Sequence, residues 1–116
     1  MTDLPELLTF VETTLFTRRI GTLGLEESLR GLQLELLANP EAGDVDPGTG
    51  GLRKIRMRDP ARGKGKRGGA RVHYLWLRHK SVIYLLYVYA KNEASALTSD
   101  EKKQLREVVA QIKREP

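Results

Sequence analysis

Apolar positions along the chain fall into two periods, one near four residues and one of two. After Gly21 and Gly24, Leu25, Leu29, Leu32 and Leu36 recur at i, i+4, i+7 and i+11, which lines one face of an α-helix of about four turns. Asn39-Pro40 ends that helix, because proline pushes the residue before it out of the helical region. The leucines cover too few heptads for a coiled coil and read as core packing. Further on, Thr98-Ser-Asp-Glu101 is a capping box, and Leu105, Val108, Val109 and Ile112 follow at i, i+3, i+4 and i+7, so a second amphipathic helix is predicted.

Between the helices the period falls to two. Leu52–Met57 alternates, with Ile55 and Met57 on one face of a predicted strand and Lys54, Arg56 and Arg58 on the other. Ala70–Leu77 and Val82–Tyr89 are two strong strand signals, and Arg78-His-Lys-Ser81 between them suits an antiparallel hairpin. The second is apolar on both faces and should be a central strand. Leu8–Phe16, rich in β-branched and aromatic residues, predicts a first strand, while the Gly-, Pro- and Asp-rich Glu41–Gly51 and the basic Asp59–Gly69 read as loops. The order is strand, helix, three strands, helix. It describes an α+β fold with a small antiparallel-rich sheet packed with helices.

At 116 residues the chain has room for one domain, 1–116. Its longest apolar run, Val82–Ala90, is far short of the roughly 20 residues a helix needs to span a bilayer, and Asp3 and Glu6 stand where a secretory signal would be basic. Neither a membrane span nor a signal is expected. Cysteine is absent and histidine occurs twice, so a disulfide scaffold and a Cys/His zinc site are excluded. A cytoplasmic protein with no metal and no cofactor is the expectation.

The net charge of +5 conceals a strong asymmetry. From Gly51 to Lys80 eleven Lys and Arg face one acid, Asp59, leaving nine basic and fourteen acidic residues elsewhere. A basic middle between acidic flanks gathers polyanions. Gly63-Lys-Gly-Lys-Arg-Gly68 fits the glycine pattern of a dinucleotide-binding loop but opens a strand where that loop must open a helix, so it reads as a loop for phosphate backbones. Alternation puts Arg71 and His73 opposite Val72, Tyr74 and Trp76. If Lys54, Arg56 and Arg58 share that face, several cations and an imidazole converge on one surface. Arginines there suit transition-state stabilisation, and Lys54, Lys91 and His73 are the candidate bases. No carboxylate cluster suited to magnesium lies near the basic loop, where Asp59 stands alone and Glu93 is the next acid. That chemistry points to RNA, whose own 2′-hydroxyl can attack the adjacent phosphate.

Three ordered motifs, Pro47-Gly-Thr-Gly-Gly-Leu-Arg-Lys-Ile-Arg56, Gly63-Lys-Gly-Lys-Arg-Gly-Gly-Ala-Arg71 and Tyr89-Ala-Lys-Asn-Glu93, resemble the HigB branch of the RelE superfamily of bacterial toxins. The resemblance implies a RelE fold, a metal-independent endoribonuclease that cuts messenger RNA in the ribosomal A site, and neutralisation by a HigA-like, DNA-binding antitoxin. Carried over by position, it implies catalytic roles for Lys54, Arg56, Arg67, Arg71 and Lys91. Arg53, Arg58, Arg62, Lys64, Lys66 and His73 become the candidate RNA contacts. Lys91 stands where RelE-like members carry a further arginine, and no tyrosine follows Tyr89, so which group supplies the proton to the leaving oxygen stays open. Two other classes compete: a non-catalytic, ParE-type inhibitor of DNA gyrase, and a plain RNA-binding module.

Overall fold

A computed structural model describes residues 7–59 and 69–116. In chain order the elements are β1 (Thr9–Glu12), α1 (Thr14–Leu23), α2 (Glu26–Ala38), β2 (Asp44–Val45), β3 (Arg53–Met57), β4 (Ala70–Leu77), β5 (Val82–Ala90) and α3 (Ser99–Arg114). The strands form one sheet in the order β1-β5-β4-β3-β2, with β1 parallel to β5 and every other neighbour antiparallel. The fold is α+β, a five-stranded mixed sheet packed with three helices.

The order departs from the prediction in two places. The expected strand over Leu8–Phe16 pairs only as far as Glu12, and the rest opens helix α1, which the composition concealed. Thr13 makes the break. Its hydroxyl accepts from the Phe16 N–H at 3.1 Å and donates to the Leu86 carbonyl at 3.0 Å, capping the helix and tying it to β5. Phe16 and Ile20, four residues apart, are then buried side by side, and Gly24 closes the helix in the left-handed conformation at φ 66°. The second departure is β2, two residues inside the expected Glu41–Gly51 loop that pair with Arg53 and Lys54.

The sheet is covered on both faces. On one, α1 and α2 pack Phe16, Ile20, Leu29, Leu32 and Leu36 against Ile55, Met57, Val72, Tyr74, Ile83 and Val88. Tyr74 also anchors the turn after α2, its hydroxyl donating to Pro40 O at 2.8 Å and accepting from Gly43 N–H at 2.9 Å. On the other face α3 lays Leu105, Val109 and Ile112 over Leu52, Leu75, Leu77 and Leu86. The register between β4 and β5 slips after His73, which pairs with Tyr87 while Tyr74 pairs with Leu85. Leu86 is the extra residue of a β-bulge, so Leu86, Tyr87 and Tyr89 all belong to the α3 side.

Helix α3 also grips the segment before β3. Lys102 donates to Pro47 O at 3.1 Å, Arg106 to Gly48 O at 3.0 Å and Lys113 to Gly50 O at 3.0 Å. Within that segment buried Thr49 donates to Asp46 O at 2.6 Å and accepts from Leu52 N–H at 3.1 Å. Gly50 has φ +80° and lies against Val109, where a side chain would be both strained and crowded. The glycine-rich motif ahead of β3 is therefore a cradle for α3.

Candidate active site

Strand pairing builds two rows of side chains across β3, β4 and β5. Arg56 lies opposite Arg71 and Arg71 opposite Tyr89; beside them Lys54 lies opposite His73 and His73 opposite Tyr87. All six stand on the α3 side, since Ile55, Met57 and Val72 fill the opposite core. Sheet register thus brings together Lys54 and Arg56 with Arg71 and His73, two sets that alternation had grouped strand by strand and would converge only if they shared a face.

Their environments differ sharply. Arg56 is exposed and Lys54 half-buried, while Arg71 is only 8% exposed and donates from Nη1 to Ala70 O at 3.3 Å. Burial and the charge of Arg56 lower the pKa of the Arg71 guanidinium from its ordinary value, and Tyr89 works the other way. Two adjacent guanidinium groups, one of them nearly enclosed, make a surface that an incoming anion stabilises. Bidentate hydrogen bonding to phosphate is what such groups do best.

His73 occupies a different position from the one expected of an RNA contact. It is fully buried, and its Nε2 lies 2.9 Å from Asp46 Oδ2. Burial lowers its pKa from 6.5; the Asp46 bond opposes this, and Lys54 and Lys102 reinforce it, so the ring is neutral at neutral pH. Assigned from that bond, Nε2 carries the proton and donates to the carboxylate. Asp46 is itself held below its ordinary value: burial works against its charge, but His73 and Lys102 outweigh it. The far nitrogen of the ring, Nδ1, is buried without a hydrogen-bond partner among the described residues, as is the Tyr89 hydroxyl, and the two rings stack at 6.1 Å.

The remaining predicted residues that the structure describes scatter. Arg53 turns to the other side, where it donates to Gly43 O at 2.7 Å and pairs with Glu41 at 3.2 Å. Arg58, exposed past the end of β3, borders a cleft of about 400 Å³ with Glu27 and Glu35 of α2. Lys91 is exposed in the turn after β5, and its backbone N–H donates to Gly69 O at 3.3 Å, which sets it at the end of the sheet where β4 begins. Arg62, Lys64, Lys66 and Arg67 lie outside the described residues. Among those described, no three His, Asp or Glu side chains converge as metal ligands, and no helix is long and apolar enough to cross a membrane.

Three members of the site escaped sequence reasoning. Tyr89 sits in a strand whose tyrosines look like core, Asp46 is separated from His73 by 27 residues, and Lys102 reaches Asp46 from α3 at 3.4 Å. The one available signal is the spacing of Tyr84, Tyr87 and Tyr89, which keeps to a single face only if the strand carries a bulge.

Helices on both faces of a mixed sheet, with arginines paired across two strands on one face, define a small basic α+β protein with an anion-seeking surface. Residues 33–115, most of the chain, match the model of the RelE family, the RelE toxin of the RelE/RelB toxin–antitoxin system, and the chain belongs to that family. It is thus a toxin of a toxin–antitoxin pair, with an antitoxin as its partner, in a family whose toxins are generally endoribonucleases.

Proposed function

We propose that this toxin is a metal-independent endoribonuclease of the HigB branch, cutting messenger RNA in the ribosomal A site and held in check in the cytoplasm by a HigA-like, DNA-binding antitoxin. The observation that carries the reading is the row Arg56–Arg71 beside Lys54. Arg71, with Arg67, stabilises the charge that develops on the scissile phosphate. Lys54 or Lys91 takes the proton from the 2′-hydroxyl as its oxygen bonds to phosphorus, and the bond from phosphorus to the departing 5′-oxygen breaks as that oxygen gains a proton. Arg56, Lys64 and Lys66 position the strand, with further phosphate contacts from Arg58 and Arg62. His73, neutral and enclosed, serves this site from beneath.

The nucleophile belongs to the substrate, so the reaction needs no metal. A direct test replaces the nucleotide 5′ to the mapped cut by its 2′-deoxy form in a ribosome-bound messenger. Cleavage should vanish at that bond alone, and the all-RNA control should yield a 2′,3′-cyclic phosphate and a 5′-hydroxyl. Equal cutting of the deoxy messenger would rule out the proposed attack.

A further inference from the structure

Beneath the arginine row lies a buried polar group that the reaction above does not use. Tyr89 is 2% exposed, and its hydroxyl has no hydrogen-bond partner among the described residues. A buried unpaired hydroxyl is uncommon in folded proteins, because withdrawing it from water costs free energy that a core phenylalanine would not incur. Its place is specific. Tyr89 is the direct cross-strand partner of Arg71, on the same face, and its ring stacks at 29° on the ring of His73, which Asp46 fixes through Nε2. Asp46 is fixed in turn by Lys102. A chain of packed contacts runs from α3 through Asp46, His73 and Tyr89 to Arg71.

We infer that Tyr89 is a positioning residue for Arg71: its hydroxyl oxygen is a buried acceptor reserved for the guanidinium, and the His73 ring holds the phenol at the height where that bond forms when phosphate draws the side chain into line. Arg71 offers five donors in a rigid fork, and phosphate uses two of them in a bidentate grip. A neutral acceptor behind the fork orients it without competing for its charge, as a carboxylate would. The role rests on the ribonuclease reading for its consequence in catalysis, though not for the contact itself.

The test is Tyr89→Phe, which keeps the ring and the stack and removes one oxygen. Three quantities are read in the full-length variant: the melting temperature, single-turnover messenger cleavage across a series of programmed-ribosome concentrations, and the side-chain Nε–H signal of Arg71 by NMR. Melting should be unchanged or raised, since an unpaired buried hydroxyl is lost. The maximal rate should fall by roughly tenfold at an unchanged half-saturating concentration, because orientation of a transition-state contact is lost and not substrate affinity. The Arg71 signal should shift or broaden. Wild-type cleavage and an unmoved Arg71 signal in Tyr89→Phe would overturn the inference, and a merely structural hydroxyl gives that result. If the wild-type chain cuts no messenger while the Arg71 signal still responds, the ribonuclease reading falls and the contact stands.

Discussion

Acid should destabilise this protein through one buried imidazole, and the effect can be worked out from its surroundings. His73 is enclosed, donates to Asp46 and faces Lys54 and Lys102, and burial holds its pKa below the 6.5 of a free histidine. Below about pH 6.5 the unfolded chain takes up a proton that the folded chain refuses. The unfolded state then binds more protons, so stability is full above that pH and is lost as the pH falls toward the folded value. For a ring that stays neutral when folded, the loss between pH 7.5 and 5.5 reaches at most about 1.4 kcal/mol. With a urea dependence of about 1–3 kcal/mol per molar, the midpoint moves down by roughly 0.5–1.4 M. Asp46, also held below its ordinary value, adds a second loss of the same sign only near and below about pH 4. Urea melts at pH 7.5, 6.5 and 5.5 should show the first loss in wild type and lack it in His73→Gln, which can still donate to Asp46 without titrating. Equal slopes in the two, or a wild type that gains stability as the pH falls, would refute a neutral His73.

Two further substitutions probe the docking of α3. Leu105→Ala removes a buried side chain from the core over Leu52, Leu75 and Leu86 and should cost about 2–5 kcal/mol in a denaturant melt. Thr98→Ala removes the hydroxyl that accepts from Glu101 N–H at 3.1 Å and breaks a complete capping box; the expected loss is about 1 kcal/mol, read as a lower melting temperature with an unchanged far-ultraviolet spectrum at 20 °C.

Periodicity was informative wherever one local signal dominated. The leucine face of α2 and the capped helix α3 follow from a single buried stripe, β3 from alternation, and β4 and β5 from dense runs of apolar, β-branched and aromatic residues. The segment after Glu12 misled because Thr and Phe favour a strand by composition, and only the placement of Thr13 as a cap beside Leu86, distant in sequence, turns it into a helix. For the site, alternation grouped Lys54 with Arg56 on one strand and Arg71 with His73 on the next, since strand geometry is local, and the pairing of β3 with β4 then puts the two sets on one face. It could not show that His73 is closed off, because that depends on Asp46 and Lys102 arriving from two other parts of the fold. The bulge at Leu86, which brings Tyr89 to Arg71, likewise exists only in the pairing of two strands.

The measurement that bears most directly on the central claim is 5′-end mapping of messenger RNA in a reconstituted translation reaction, with wild type and Arg71→Ala, with and without ribosomes. Both proteins should show the same fold by circular dichroism. Wild type should produce cuts phased to codons, only on ribosome-bound messenger, and Arg71→Ala should produce none. Intact messenger with wild type, or undiminished cutting by Arg71→Ala, would contradict the account, the former redirecting the search to gyrase and the latter to another residue at the scissile phosphate.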